Sequence, residues 1–301
     1  MRLHLAGCEC EKYYTCAKLA GARSFLMSYW YAFHKKKNCK KALSILADAG
    51  DNWIMDSGLF TMMFGSESHR KYTEEELTIY TRAYLAKMKE IAFKGAIVEM
   101  DVHKVLGLEA LGRFRRIFER EWPLDRTIYV YHAEERISGL KRMAKRYPYI
   151  ALSIPELRNI VKHVSVERYL YQLLNVAHMA NPNVRIHLLG NTQLNLMQSG
   201  LYDTCDSTSW KYPAILNTLD RIEFQDGKAK RCSYRIKKDG VRNLDAIFKK
   251  ACVPGFTADS KILKYIRARD YLKTATVSAA NFLMLERRIN ERYCMVGSRG
   301  R

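Results

Sequence analysis

Apolar and polar positions along the first two thirds of the chain follow a repeating order of strand and helix. Eight short apolar runs have the length and composition of buried strands, at residues 3–7, 24–28, 53–55, 96–100, 127–131, 149–152, 184–189 and 202–205. Segments with the period of amphipathic helices lie between most of them, at residues 37–49, 73–92, 107–121, 134–147, 166–180 and 192–198. Strands that alternate with helices predict parallel βαβ units, and eight such units predict an α/β fold of the (β/α)8 TIM-barrel type. A doubly wound open sheet is the alternative, because it uses the same units.

The last third of the chain has a different pattern. Residues 221–224 and 231–235 flank Asp226-Gly227 and predict a β-hairpin. Helical patterns follow at residues 243–251, 260–271 and 279–293, and they are rich in Lys and Arg. We therefore predict two parts, a barrel over residues 1–219 and a basic hairpin-plus-helix extension over residues 220–301 that packs on the barrel.

The chain is strongly basic, with 51 Lys and Arg against 31 Asp and Glu and a formal net charge of +20. An anionic partner relieves the repulsion among so many like charges, and nucleic acid is the commonest such partner. No run approaches the ~20 apolar residues that a bilayer span needs, and the first residues do not form an export signal. The sequence therefore predicts a cytoplasmic, nucleic-acid-binding protein that makes no membrane contact.

The eight cysteines are expected to be reduced thiols in this compartment. Cys8, Cys10 and Cys16 cluster near the N-terminus, but their spacing matches no common zinc motif. The prediction is therefore a protein without a metal or other cofactor, with zinc on these three cysteines as the alternative.

Polar residues at the predicted strand ends carry the candidate chemistry. In (β/α)8 enzymes the active site is built at the carboxyl ends of the strands. Two carboxylates there can divide the work at a sugar C1′, one attacking the carbon and the other moving the proton of the leaving group. A further carboxylate can accept hydrogen bonds from the edge of guanine. The strand-end residues are Asp56, Asp101, His132, Ser153, Gly190 and Asp206.

Two short motifs resemble those of a known family. The stretch Asp56-Ser57-Gly58-Leu59-Phe60 resembles the Asp-Ser-Gly-Gly-Phe signature of tRNA-guanine transglycosylases. The segments 187–192 and 206–210, with Tyr202 between them, are more similar to the phage DNA-guanine transglycosylases, which insert 7-deazaguanines into DNA. The resemblance covers about residues 1–215. The cysteines at 232, 252 and 294 are too scattered for the zinc site of the tRNA enzymes, which favours the DNA branch.

The resemblance implies a (β/α)8 barrel that exchanges guanine for a 7-deazaguanine base through a covalent Asp–C1′ intermediate. It implies that Asp206 is the nucleophile, that Asp56 is the general acid and base, and that Asp101 holds the guanine edge. It also implies that Phe60 stacks on the base and that His132 and Ser153 stand at strand ends that offer base-reading groups. Further candidates for substrate binding are Ser57, Gly58, Gly190 and Ser207. Some residues differ from those of the tRNA enzymes, such as His132 where those enzymes have Gln. The resemblance therefore does not determine which base the site selects.

The expected partners are DNA and a free 7-deazaguanine base similar to preQ0, in the host cytoplasm if the protein is phage-encoded. Three alternatives remain open at this point. They are the same exchange on tRNA, a barrel that binds nucleic acid without catalysis, and a nucleoside hydrolase that releases guanine without exchange. Whether a partner protein takes part is also left open by the sequence.

Overall fold

The computed structural model describes residues 1–34, 39–64, 70–161, 165–191, 193–226, 228–235 and 274–297. Its central feature is a closed parallel barrel of eight strands that follow one another in sequence order. The strands are β1 Arg2–Ala6, β2 Phe25–Ser28, β3 Trp53–Asp56, β4 Ala96–Val98, β5 Thr127–Tyr131, β6 Tyr149–Ser153, β7 Arg185–Leu189 and β8 Thr204–Ser207. This closed sheet confirms the predicted (β/α)8 class and excludes the open doubly wound sheet.

Helices follow or flank the strands. In chain order they are α1 Glu11–Leu19, α2 Cys39–Leu46, α3 Leu59–Phe64, α4 Glu74–Glu90, α5 His103–Glu121, α6 Arg136–Arg146, α7 Ile154–Ile160, α8 Val166–Ala180, α9 Leu194–Met197, α10 Tyr212–Leu216 and α11 Thr274–Gly297. A π-helical turn also occupies Trp30–His34. Among the described residues, no helix is both long enough and apolar enough to cross a membrane.

The barrel strands are buried along most of their length, as parallel strands covered on both faces require. All five residues of β5 are buried, and so are the first four of β6. The strands pair in parallel register, with Tyr129 opposite Ile150 and Ile150 opposite Ile186. This uniform burial explains why continuous apolar runs, without alternation, marked the strands in the sequence.

The start of α4 shows how local sequence sets a helix boundary. The Thr73 hydroxyl accepts a hydrogen bond from the Glu76 N–H at 3.2 Å, and the Glu76 carboxylate accepts one from the Thr73 N–H at 2.9 Å. This reciprocal arrangement is the capping box predicted from Thr73-Glu74-Glu75-Glu76. It satisfies two backbone donors that the first turn of the helix leaves without a partner.

Several element boundaries differ from the prediction. β8 begins at Thr204, so Asp206 lies inside this strand and does not follow it. α5 begins at His103 and is interrupted at Gly107, where the helix was predicted to begin. The short helices α3 and α7 were not predicted, because six or seven residues carry too little periodicity. The helices predicted at 243–251 and 260–271 lie outside the described residues.

The chain divides into two compact units. One comprises residues 26–191 and 201–204, and the other comprises residues 1–25, 192–200 and 205–301. In the second unit, β9 Thr218–Gln225 and β10 Lys228–Arg235 form the predicted antiparallel hairpin. α11 is joined to this hairpin by Asn281, whose side chain accepts from the Ile222 N–H and donates to the Asp220 carbonyl. The domain boundary proposed after residue 219 stays a prediction.

Candidate functional site

Asp56 is the last residue of β3, and its surroundings fix the backbone at this strand end. The carboxylate accepts a hydrogen bond from the Gly58 N–H at 2.9 Å, which closes a tight turn. Two buried phenols of α4 hold the same backbone, because Tyr84 donates to the Met55 carbonyl and Tyr80 to the Ser57 carbonyl, both at 2.7 Å. Asp56 therefore projects from a rigid position at the carboxyl end of a barrel strand.

Gly58 and Phe60 occupy the turn and the short helix that follow. Gly58 has a φ of +83°, and a Cβ at this position would lie 2.5 Å from the Trp30 Cβ and 2.8 Å from the Ser28 Oγ. The position therefore requires glycine for packing within the protein itself. Phe60 lies on α3 with 62% of its surface exposed. Phe60 is thus not a core residue, and its ring is accessible to a ligand.

Glu99 and Arg115 form a buried ion pair behind the end of β4. Both carboxylate oxygens of Glu99 accept from the Arg115 Nε, at 3.1 and 3.2 Å, and one also accepts from the Val130 N–H at 2.7 Å. Arg115 also donates to the Val130 carbonyl and to both carboxylate oxygens of Glu135. Burial raises the pKa of Glu99 to about 7, although the Arg115 charge opposes this shift. This network joins β4, β5 and α5.

Asp101 lies three residues beyond the end of β4 and two residues before the start of α5. Burial raises the pKa of its carboxyl group to about 6, while the nearby His132 lowers it and Glu156 raises it. Asp101 is therefore close enough to His132 and Glu156 for their charges to interact. The structure thus brings together two of the predicted site residues, Asp101 and His132. It adds a third group, Glu156, that the sequence analysis did not identify.

His132 follows β5 directly, is fully buried, and forms a cluster with His103 and the half-buried Glu156. Its ring stacks on that of His103, with the centroids 3.3 Å apart and a tilt of 23°. The His132 Nδ1 lies 3.0 Å from a Glu156 carboxylate oxygen, and the His103 Nδ1 lies 3.3 Å from the Asp101 carbonyl oxygen. Burial and the neighbouring His132 lower the pKa of His103 to about 4. This shift favours the neutral form of the His103 imidazole, and the nearby Glu156 carboxylate, 3.7 Å from the His103 Nε2, opposes it.

Sequence reasoning missed His103 and Glu156, although weak signals for both were present. His103 stands two residues after the strand-end Asp101, and Glu156 stands three residues after the strand-end Ser153. In the structure the Ser153 hydroxyl accepts from the Glu156 N–H at 3.3 Å and caps α7. A Ser at the end of a strand with Glu three residues later is typical of a helix start. The cap fixes the first turn of α7, which carries Glu156.

Gly190 follows β7 and has a φ of +62°. A Cβ there would lie 3.1 Å from the Pro155 Cγ, so the glycine lets this turn pack against the start of α7. The predicted role of Gly190 in substrate binding stays a prediction.

Asp206 and Ser207 belong to the unit that contains residues 205–301. Asp206 is 6% exposed and lies within β8. The Ser207 hydroxyl is 2.7 Å from the Ser209 hydroxyl and accepts from the Ser209 N–H at 3.2 Å. The buried Trp210 donates its indole N–H to the Ala6 carbonyl at 3.1 Å. The hydroxyl-rich segment after Asp206 therefore forms an internally bonded turn that Trp210 anchors to β1.

The three N-terminal cysteines differ in their surroundings. The Cys8 thiol is buried, lies 3.3 Å from the Leu5 carbonyl oxygen, and has a pKa raised by burial. Cys10 is exposed before α1, and Cys16 is buried within that helix. Across the described ranges, the only three His, Cys, Asp or Glu side chains with ligand atoms mutually within 4.8 Å are those of His103, His132 and Glu156.

A basic cleft lies between α5 and α6, within the unit that comprises residues 26–191. Its volume is about 660 Å³. It contains more cationic than anionic side chains, and an exposed pair between Arg146 and Glu119 lies on its wall. The charged side chains that line it are Arg115, Arg116, Glu119, Glu135, Arg142, Lys145 and Arg146. This excess of positive charge is suited to an anionic partner.

No family model matches the sequence, and no curated protein matches it. Among solved structures, the chain is similar to a mandelate racemase/muconate lactonizing protein from Herpetosiphon aurantiacus, with a TM-score of 0.41 and 12% sequence identity. The similarity covers 79% of this chain and 65% of that protein, so the chain spans just under two thirds of its length.

Proposed function

We propose that the protein exchanges guanine in DNA for a 7-deazaguanine base. The Asp206 carboxylate attacks C1′ of a deoxyguanosine, and an ester bond forms as the bond from C1′ to the guanine N9 breaks. Asp56 begins this step protonated, gives its proton to the departing guanine and becomes a carboxylate. It then removes a proton from the incoming base, whose nitrogen attacks C1′ and releases Asp206. The strand stays intact throughout, and each carboxylate returns to its starting state.

The observation that carries the proposal is the position of three acids on the barrel. Asp56 ends β3, Asp101 lies beyond β4, and Asp206 is the penultimate residue of β8. Each is therefore near the carboxyl end of a strand, where enzymes of this fold carry their catalytic residues. Acids with little exposure are costly to keep unless they are bonded or used chemically. The resemblance of the segments around Asp56 and Asp206 to the transglycosylases supports the same roles.

Selection of guanine is assigned to Asp101. With a pKa of about 6, its carboxyl group is largely ionised at pH 7 to 8. An ionised carboxylate accepts hydrogen bonds, and the N1–H and N2–H groups of guanine are donors. The exposed ring of Phe60 offers a surface for stacking on a base. Adenine has no N1–H donor, so this arrangement favours guanine over adenine.

The positive charge of the protein supports a nucleic acid as the substrate. The net charge of +20 favours a polyanion, and the basic cleft between α5 and α6 is a local excess of the same sign. Chemistry at C1′ requires the target nucleotide to leave the base stack, so we expect base flipping or a single-stranded substrate.

The test measures transfer of label into polymer. The full-length protein is incubated with radiolabelled guanine, or with a labelled 7-deazaguanine, and with DNA or tRNA in parallel reactions. We expect incorporation into DNA, its loss in Asp206→Asn and Asp56→Asn, and wild-type incorporation in Asp48→Asn, a control at an exposed acid. Incorporation into tRNA alone would favour the RNA alternative. Release of free guanine without incorporation would indicate a hydrolase, and no reaction on either polymer would refute the proposal.

A further inference from the structure

Lys211 lies near the carboxyl end of β8, close in the chain to the proposed nucleophile Asp206. It is the last residue of the short 3₁₀ turn Ser209–Lys211, which follows this strand. The preceding Trp210 donates its indole N–H to the Ala6 carbonyl, at the end of β1. This bond fixes the backbone of Lys211 beside the carboxyl ends of β1 and β8, where this fold carries its functional groups.

The Lys211 side chain is held against residues near the start of the chain, in the same compact unit. It lies over Gly7, the residue after β1, where an added Cβ would overlap the ammonium group and lie 2.8 Å from the Lys211 Cε. The ammonium nitrogen is also 5.3 Å from the centroid of the Tyr13 ring, a distance at which a cation and an aromatic ring attract each other. Tyr13 in turn packs edge-on against Trp210, with the ring centroids 5.8 Å apart. A ligand that binds here therefore meets an ammonium group whose position is already defined.

The positive charge of Lys211 is open to an anionic ligand. Within the described ranges, this half-buried lysine forms no ion pair with a carboxylate. Its charge acts on the interior of the protein. Burial raises the pKa of the Cys8 thiol, Glu9 raises it further, and Lys211 lowers it. An ammonium group that is partly removed from water is costly to keep without an anion, and the Tyr13 ring compensates for only part of this cost. An anion from outside the protein would supply the partner.

The identity of the anion follows from the reaction proposed at Asp206. The atom that Asp206 attacks is C1′ of a nucleotide, and a backbone phosphate flanks this nucleotide on each side. A lysine ammonium is a compact point charge that is suited to phosphate. We propose that Lys211 binds one of the two backbone phosphates that flank the target nucleotide. This assignment rests on the proposed base exchange, because it takes the sugar to lie at Asp206.

The phosphate contact positions the target nucleotide without selecting its base. Contacts to phosphates fix the register of a nucleic acid on a protein but carry no sequence information. A nucleotide that leaves the base stack loses the neighbours that held it, so a fixed charge at its phosphate helps to hold it in the flipped-out position. Lys211 therefore complements Asp101, to which the choice of guanine is assigned. It is also separate from the basic cleft between α5 and α6, which belongs to the other compact unit.

The test compares the binding of charged and neutral backbones at constant salt. A short single-stranded DNA that contains a single guanine is titrated with the full-length protein and followed by fluorescence anisotropy. Two matched strands carry a neutral methylphosphonate in place of the phosphate on the 5′ or the 3′ side of the guanine nucleotide. For the wild type, we expect one of these replacements to weaken binding at least about tenfold, as the loss of a hydrogen bond to a charged group would.

Variants of Lys211 connect this effect to one side chain. Lys211→Met keeps the apolar stem without the charge and should weaken binding of the unmodified strand by a similar factor. This variant should then be insensitive to the methylphosphonate, because the charge that contacts the phosphate is gone. Lys211→Arg should retain much of the affinity and the methylphosphonate effect. Lys94→Met, a control at an exposed lysine before β4, should behave as wild type. Circular dichroism confirms that each variant is folded, and Lys211→Gln replaces the methionine variant if that protein does not fold.

The assignment would be overturned by wild-type affinity in Lys211→Met, by a full methylphosphonate effect in that variant, or by a wild type that binds all three strands equally. If a matched RNA strand alone shows the dependence, the bound phosphate belongs to RNA and its assignment to DNA is wrong. Label transfer is measured in parallel. Normal exchange with no effect of Lys211→Met on binding refutes this inference alone. Phosphate-dependent binding through Lys211 without any exchange refutes the base exchange and retains the phosphate site.

Discussion

Replacing Arg115 with methionine removes the cation that neutralises Glu99, a carboxylate with no exposed surface. Methionine keeps much of the length and apolar volume of the arginine stem but donates no hydrogen bond. The substitution breaks two bonds to Glu99, two to Glu135 and one to the Val130 carbonyl. Glu99 keeps the hydrogen bond from the Val130 N–H as its described contact.

The expected loss follows from leaving one buried charge without its partner. Breaking a buried ion pair in this way costs about 3–5 kcal/mol of unfolding free energy. The individual hydrogen bonds are not summed, because bonds that share one guanidinium are coupled. Without the arginine the pKa of Glu99 rises further, so protonation relieves the buried charge in acid. The loss should therefore be largest near pH 8 and smaller near pH 5.

Urea unfolding at the two pH values measures this loss. The matched control is Arg113→Met on the same helix, because Arg113 pairs with Glu74 at an exposed position and its loss should have a much smaller effect. The double variant Glu99→Leu/Arg115→Met should recover much of the stability, since no buried charge remains. Equal losses for Arg115→Met and Arg113→Met, or a loss that grows as the pH falls, would refute the reasoning.

Three further predictions follow from the same structure. Gly58→Ala should destabilise the protein by at least about 1 kcal/mol in thermal unfolding, because a Cβ would contact the Trp30 Cβ at 2.5 Å on a backbone with positive φ; a neutral effect would contradict the packing described. The pKa of Glu99 is raised from 4.5 to about 7, so its contribution to stability is full below pH 4.5 and is lost as the pH rises through 7. Glu99→Gln should flatten the stability profile between these values, and an unchanged profile would contradict the assignment. Arg142→Glu and Lys145→Glu in the basic cleft should weaken DNA binding and reduce its salt dependence in fluorescence titrations; unchanged salt dependence would exclude the cleft from the DNA contact.

The barrel could be predicted from the sequence because its strands are buried on both sides. A strand such as β5, Thr127–Tyr131, is buried throughout and is rich in apolar residues. The start of α4 is marked in the sequence by the capping box at Thr73. These signals are local. The helices α3 and α7 are too short to show a helical period of apolar residues, so they could not be predicted from the sequence.

The candidate site was predictable only in part. The positions of Asp56 and Asp101 near strand ends follow from the strand pattern. Asp206 was predicted to follow β8 but lies inside it, because this strand runs from Thr204 to Ser207. The partners of these residues depend on tertiary packing. Arg115 reaches Glu99 across 16 positions, and no pattern in the sequence pairs them.

The cluster of His103, His132 and Glu156 shows the same limit. His132 was predicted as a base contact because it ends a strand, but its neighbours come from two other strand ends. Glu156 is 24 residues from His132 in the chain, and the bond between them exists only because β5 and β6 are adjacent in the barrel. Ring stacking with His103 likewise depends on the closeness of two separate loops.

The covalent intermediate tests the central claim most directly. The protein is incubated with guanine-containing DNA and no incoming base, denatured, and digested for mass spectrometry of the peptide that contains Asp206. The account predicts a deoxyribose-linked adduct on Asp206 in the wild type, none in Asp206→Ala, and its disappearance when a 7-deazaguanine base is added before denaturation. An adduct on another residue, or base exchange that continues in Asp206→Ala, would contradict the account.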